Sequence, residues 1–295
     1  MGSKANRRAI ELLNSSDILT QYKDQIEKNG VVGEELNRLA LILVFTSRLN
    51  LSGAVSCAIK DQSSSGKNSL INAALKLFPT ECFKQFSRIT PEALFHGDSD
   101  LSHKILIVDE FIGASPSLYT LKLGLSEGRL IKRVTTKSYD DGFGTQDYSV
   151  TAKSLCFVTT STKDVLDYEL DTRMIHLKMD TSAEQTRRIY LSKANYMPNG
   201  NIEEENIIFQ GAQNLLKPYD VYIPFGVELA NTFPAESVTG RRDFSKYLNL
   251  IKSSAILHQF QRDKKELHGR EILIANESDK EIVSRLYEHV FGKQT

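Results

Sequence analysis

Apolar and polar residues over positions 1–50 fall into two helical patterns, one around Ala9, Ile10, Leu12 and Leu13, the other carrying Leu36, Leu39, Ala40, Leu43 and Val44. Lys28-Asn29-Gly30-Val31-Val32-Gly33 reads as the turn between them, so the second helix is expected to begin near Glu34. The period then changes. Residues 55–59 are a short apolar run suited to a buried strand, residues 67–78 return to helical spacing, and Pro79 stops that helix. Residues 83–89 predict a second strand, and Thr90-Pro91-Glu92 opens a short helix with proline at its first position. Ile105, Leu106, Ile107 and Val108 predict a strand buried on both faces, with Asp109 and Glu110 at its C-terminal end.

Residues 118–128 read as a helix closed by Gly128. Two extended runs, 129–137 and 146–151, flank a turn-rich stretch and predict a β-hairpin over 129–151. Residues 154–161 give another buried strand ending in hydroxyls, and 171–179 a loop with one arginine followed by a short strand. Thr181-Ser182-Ala183-Glu184 has the form of a capping box opening a helix over 182–194. Beyond a loop at 196–202 the pattern becomes mainly helical, with helices over 203–217 and 241–261, an extended piece at 221–223, a strand at 271–275 and a terminal helix. Apolar strands alternating with helices argue for an α/β fold around a parallel sheet. The expected organisation is a helical preface (1–50), a core (51–196) carrying the hairpin, and a mainly helical C-terminal part (203–295).

The 295 residues suffice for a sizeable core, and 37 basic residues balance 37 acidic ones, so a nucleic-acid partner must be met by local patches and not by net charge. Cys57, Cys82 and Cys156 have no metal-ligand spacing and fit reduced thiols in a cytoplasmic protein. No apolar run approaches the roughly 18 residues of a membrane span, and there is no signal-peptide pattern. The expectation is a soluble chain with no membrane partner.

The chemistry is concentrated in Ser63-Ser64-Ser65-Gly66-Lys67-Asn68-Ser69, which lies between an apolar strand and a helix. Backbone amides and a helix N-terminus in this arrangement wrap a polyphosphate. The pattern G-x-x-x-x-G-K-[ST] wants Gly where Asp61 stands and Ser or Thr where Asn68 stands, which leaves Gly66 and Lys67 in register. The strand ending in Asp109-Glu110 places two carboxylates at the sheet edge where ligands bind, so the loop and the strand together form a paired Walker A and Walker B arrangement. The hairpin's first arm carries Arg129, Lys132, Arg133 and Lys137, with Asp140 and Asp141 near the tip.

A phosphate loop, an Asp-Glu strand, a hairpin, a strand ending in Thr, a lone arginine and a helical part opening with arginine resemble, in that order, an AAA+ ATPase of the group with a hairpin before sensor 1, which contains the MCM helicases. Residues 63–69, Leu125-Ser126-Glu127-Gly128 and Arg241-Arg242-Asp243 with the helix after it resemble more closely the helicase part of phage and mobile-element primase-helicases. The resemblance covers roughly residues 34–262. It implies a P-loop NTPase (AAA+) sheet with flanking helices, a hairpin insertion and a lid-like C-terminal part. It also implies ATP and Mg²⁺. Ser63, Ser64, Ser65 and Gly66 would cradle the phosphates, Lys67 would hold the β/γ oxygens, and Asn68 or Ser69 would join Asp109 on the metal. Glu110 would orient the attacking water, Thr160 matches sensor 1, Arg173 the arginine finger that completes a neighbour's site, and Arg242 or its neighbour Arg241 the sensor 2 arginine. Lys132, Arg133 and Lys137 would meet DNA phosphates without reading bases. The implied function is an ATP-dependent DNA helicase or translocase, a homo-oligomer and in this family a hexamer, acting on single-stranded or forked DNA alongside a primase. The alternative is an ATP-binding replication initiator or loader with little or no motor activity.

Overall fold

Three short strands buried at every position organise the centre of the molecule. The computed structural model describes residues 3–90, 94–95, 99–109, 116–138, 142–162, 167–195 and 201–292. In chain order the first elements are α1 (Ser3–Leu13), α2 (Ile18–Lys28), α3 (Glu35–Thr46), β1 (Ser56–Lys60), α4 (Lys67–Leu75), β2 (Phe83–Phe86), β3 (Ile105–Val108) and α5 (Pro116–Glu127). Next come β4 (Arg129–Ser138), β5 (Gly142–Thr151), β6 (Cys156–Ser161), α6 (Tyr168–Asp171), β7 (Met174–Lys178) and α7 (Ala183–Ala194). The remainder is α8 (Ile202–Leu215), β8 (Val221–Tyr222), α9 (Gly226–Thr232), α10 (Gly240–Leu257), β9 (Lys264–Leu267), β10 (Arg270–Ile274), α11 (Glu277–Ser284) and α12 (Tyr287–Phe291).

The central sheet has the order β2-β3-β6-β1-β7 with every pairing parallel. Successive side chains leave its two faces alternately. Cys57, Ile59, Ile105, Ile107, Cys156, Val158, Ile175 and Leu177 join one apolar core with α4. Ala58, Leu106, Val108, Phe157 and Met174 join the other, with Leu121 of α5, Leu130 and Val150 of the hairpin and Leu170 of α6. The handedness of parallel crossovers accounts for this division. The chain leaves β1 through α4 for the far edge, then steps back through β3 and β6 and passes β1 to reach β7. Right-handed connections running in opposite directions lie on opposite faces, which opens a crevice at the C-terminal edge between β1 and β6. The architecture is therefore α/β, a five-stranded parallel sheet flanked by helices, as the alternating pattern predicts.

The preface contains three helices where two patterns are legible. Ile18, Leu19, Tyr22 and Ile26 form an apolar face of their own on α2, and the chain turns before it at residues 14–17. The preface and the C-terminal part share the first core with the sheet. Tyr22 meets Phe209 of α8 edge to face at 4.8 Å, Gln25 donates to Asn206 at 3.0 Å, and Asn29 donates to the Ala73 carbonyl of α4 at 3.0 Å.

Two local expectations change. The helix after β7 is capped by Ser182, whose hydroxyl accepts from the Gln185 N–H at 3.1 Å, so the box is not closed by Thr181 and Glu184. The Gln185 side chain instead donates to the Val32 carbonyl at 2.6 Å. The terminal segment contains β9, a fully exposed strand whose charged Lys-Lys-Glu-Leu sequence hides it, paired with β10 through a turn at His268 and Gly269. The short helix expected from Thr90-Pro91-Glu92 falls on 91–93, outside the described residues. Among the described residues no helix is long and apolar enough to cross a membrane.

Burial holds two C-terminal histidines below the ordinary imidazole value. For His258, Arg262 adds to that effect, against the Ser254 carbonyl and Asp279; for His289 burial acts alone. Such groups stay neutral in the fold but protonate in the unfolded chain near its ordinary value of 6.5, so the stability they contribute is present above that pH and is lost as pH falls below it. A thermal melt should lose midpoint temperature between about pH 7 and about pH 5, and His258→Gln should flatten that loss.

Candidate functional site

The phosphate loop leaves β1 at the C-terminal edge of the sheet and enters α4 through Gly66, which has φ +94°. A Cβ at Gly66 would meet only Met179 Cε at 3.8 Å, so the backbone conformation, and not a lack of space, calls for glycine. Ser64 is also left-handed, at φ +67°. The Lys67 ammonium is buried and folds back into the loop, donating to the carbonyls of Asp61 at 2.7 Å and Gln62 at 2.6 Å and to Ser65 Oγ at 3.4 Å. The first turn of a helix presents N–H groups without intrahelical partners and the positive end of the helix dipole. Gly66, Lys67, Asn68 and Ser69 are the residues at that point, and Asn68 and Ser69 are exposed.

Asp61, standing where the pattern wants glycine, is used by the fold. Its Oδ1 accepts from the Gln62 N–H at 2.6 Å and its Oδ2 from the Met179 N–H at 3.2 Å. The carboxylate is thus engaged by backbone donors and pins the loop to the end of β7.

Parallel register brings the other residues singled out in the sequence to the same edge. Thr160 pairs with Ile59 near the end of β1 and is buried at 1% exposure, and the Asp61 N–H continues the ladder to the Ser161 carbonyl at 3.1 Å. Val108, the last residue of β3, pairs with Thr159, whose hydroxyl donates to the Val108 carbonyl at 2.7 Å. Asp109 follows directly, its N–H donating to Phe86 O at 2.9 Å. Only β6 separates it from β1, two strand spacings or about 10 Å. Glu110 lies outside the described residues. The described residues contain no group of three or more His, Cys, Asp and Glu that could hold a metal. Asn68 and Ser69 at the start of α4 and Asp109 after β3 are oxygen-bearing side chains at this edge.

A cavity of about 260 Å³ opens beside the loop. Ser64, Ser65, Gly66 and Ser69 line its phosphate-loop side, and Val31, Val32, Met179 and Ile189 supply apolar walls. Gly30, Val31, Val32 and Glu34, between α2 and α3, and Gln185 of α7 are wall residues that the sequence reading does not assign to the site.

The two arginines lie elsewhere. Arg173 directly precedes β7 and lines a cavity with Ala54, Ser56, Ser154 and Leu155, at the opposite, N-terminal edge of the sheet. Because Ser56 pairs with Met174 and Lys60 with Lys178, a strand length of roughly 13 Å separates Arg173 from the start of its own phosphate loop. Arg173 donates to Glu169 at 2.8 Å and to Ser126 Oγ. Arg242, exposed like Arg241, donates to Thr172 Oγ1 and belongs to the same edge. Beside them Lys246 donates to the carbonyls of Met174 at 2.9 Å and Thr172 at 3.3 Å. Burial lowers its ammonium pKa despite Asp243.

One ion pair joins the two edges. Lys60, the last residue of β1, lies 2.7 Å from Asp171 Oδ1, with side-chain exposures of 8% and 15%. His176 Nε2 is 3.3 Å from the same oxygen. Burial pushes the Asp171 carboxyl up, but His176 and Lys60 outweigh it and hold it below its ordinary value. A lysine closing an otherwise apolar strand is the sequence signal for this pair, because a buried charge needs a partner.

The hairpin pairs Arg129 with Thr151 through Ser138 with Gly142. Alternation divides its basic residues. Arg133 is exposed and held bidentate by Asp147 directly across the ladder, at 2.6 and 2.7 Å. Lys132 is half-buried on the other face, with its ammonium 5.8 Å from the Phe95 ring centroid. Lys137 stands opposite Phe143. Neighbouring strand residues face opposite ways, so Lys132 and Arg133 stand on different faces of the hairpin, and Arg133 has a carboxylate across the ladder.

No protein-family model and no curated protein matches the chain.

Asp61→Gly restores the standard pattern but removes the acceptor of two backbone N–H groups. It should lower stability by about 1–3 kcal/mol in chemical denaturation.

Proposed function

We propose that the chain is an AAA+-type ATPase that acts as a motor on DNA, with each active site assembled between two copies. The observation that carries this reading is the division of the site residues between two sheet edges. Lys67, Asp109 and Thr160 gather at the C-terminal edge, and Arg173 and Arg242 at the N-terminal edge. A single copy cannot bring Arg173 to its own Lys67 loop without dismantling β7, whereas a head-to-tail neighbour can present it, and such contacts form a ring when their rotation closes.

In this reading the triphosphate displaces the Lys67 ammonium from the Asp61 and Gln62 carbonyls and takes it as a charge-assisted partner. The loop amides and the α4 N-terminus hold the phosphate oxygens. The cavity walled by Val31, Val32, Met179 and Ile189 takes the base and ribose, excluding water from one side of the nucleotide. Asn68 or Ser69 with Asp109 holds Mg²⁺, which supplies neutralisation of phosphate charge. Glu110 orients the attacking water, Thr160 donates its hydroxyl toward the terminal phosphate, and the neighbour's Arg173 stabilises charge on the transferred phosphoryl group. The hairpin, rooted by Leu130 and Val150 in the second core, meets single-stranded or forked DNA through phosphates.

ATP turnover, measured with and without single-stranded DNA, tests the reading. DNA should stimulate the parent chain, and Arg173→Ala should lower turnover by about a thousandfold with nucleotide affinity little changed. ATP binding without DNA-stimulated turnover, at concentrations where the chain is oligomeric, would replace the motor with an ATP-binding initiator or loader. The Arg133–Asp147 pair, which reduces the positive charge the hairpin offers to DNA, is the feature that favours that outcome.

A further inference from the structure

Arg173 sits at the end of a short segment held from several sides. Asp167 caps α6 by accepting from the Leu170 N–H at 3.0 Å, and it pairs with Lys122 of α5 at 2.6 Å. Glu169 bridges Lys122 at 3.1 Å and Arg173 at 2.8 Å. Arg242 and Lys246 of α10 hold Thr172 and the Met174 carbonyl. Each of these partners belongs to α5, α6 or α10. Lys60 differs, because it reaches Asp171 from β1 itself, at the residue immediately before the phosphate loop.

The Lys60–Asp171 contact is short and largely withdrawn from water, and a pair in that setting resists separation because either charge left alone would be buried without compensation. A displacement of the end of β1 is therefore passed to the last residue of α6, two positions before Arg173. We propose that Lys60 and Asp171 are positioning residues that tie α6 to the end of β1 and so hold Arg173 in the place from which it serves a neighbouring copy. This rests on the reading of Arg173 as a group acting on a neighbouring copy.

Mixed oligomers separate the inference from the reading beneath it. Copies carrying Arg173→Ala have intact loops but no finger to give, and copies carrying Lys67→Ala have a finger but no working loop. Mixing them should restore turnover at interfaces where an intact loop meets an intact Arg173. Adding Lys60→Met and Asp171→Leu together to the Lys67→Ala copy replaces the pair with apolar side chains and leaves no orphaned charge. Because that copy's own loop is already disabled, the added changes can act only through the finger it donates. The restored turnover should fall by at least about tenfold while KM for ATP stays within about twofold, since the intact loops belong to the other copy. Lys60→Arg in the same copy, which keeps the charge, should retain most of the restored turnover.

Unchanged turnover with the Lys60→Met/Asp171→Leu donor overturns the inference. So does lost turnover accompanied by failure of that donor to enter the mixed oligomer or by loss of its cooperative melt, because the pair is then structural alone. If the simple Lys67→Ala donor restores nothing, the role of Arg173 on a neighbouring copy is overturned and the inference falls with it.

Discussion

All five strands of the central sheet run the same way, and this constraint sorts the chemistry of the molecule. Every strand's carboxyl end opens on one edge, where Lys67, Asp109 and Thr160 stand, and every strand's amino end opens on the other, where Arg173 and Arg242 stand beside Thr172 and Met174. The order β2-β3-β6-β1-β7 adds the second division, placing α4 on one face and α5, α6 and the hairpin base on the other. Loop, carboxylate and hydroxyl thus come together through register, although they are far apart in sequence.

The phosphate loop illustrates how a departure from a motif can be absorbed by the surrounding fold. Asp61 would set a negative charge against phosphate if its carboxylate turned inward. It instead accepts from the N–H groups of Gln62 and Met179, which ties the loop to β7. The connection continues, since Glu34 Oε1 accepts from the Asp180 N–H at 2.9 Å and Glu34 also accepts from Asn37, which in turn donates to the Lys178 carbonyl at 2.7 Å. The base of the Lys67 loop is therefore built jointly from β1, the end of β7 and the start of α3.

Much of this was legible in the chain. The apolar runs at residues 55–59, 105–108 and 154–161 are strands because aliphatic residues at consecutive positions can be buried on both faces of a parallel sheet, and Gly66-Lys67 marks the turn into α4. The hairpin was readable from its two extended runs and the turn residues between them. What was hidden depends on contacts between distant residues. β9 is charged and exposed, α2 was masked by the stronger patterns on either side, and the Gln185 amide is set by its contact with Val32 and not by its own sequence neighbours. The Lys60–Asp171 pair spans the sheet and is visible only once β1 and β7 are known to be adjacent. The opposite facing of Lys132 and Arg133 follows from strand alternation, but the Asp147 partner required the register.

The central claim is that the loop around Lys67 holds a nucleoside polyphosphate. Thermal unfolding with ATP and Mg²⁺ titrated over the parent chain and over Lys67→Ala tests it most directly. A ligand bound only by the folded chain adds about 2.7 kcal/mol at a hundredfold excess over its Kd, so the parent midpoint should rise saturably and the Lys67→Ala midpoint should not. An equal rise in both chains, or none in the parent at millimolar nucleotide, would contradict the account.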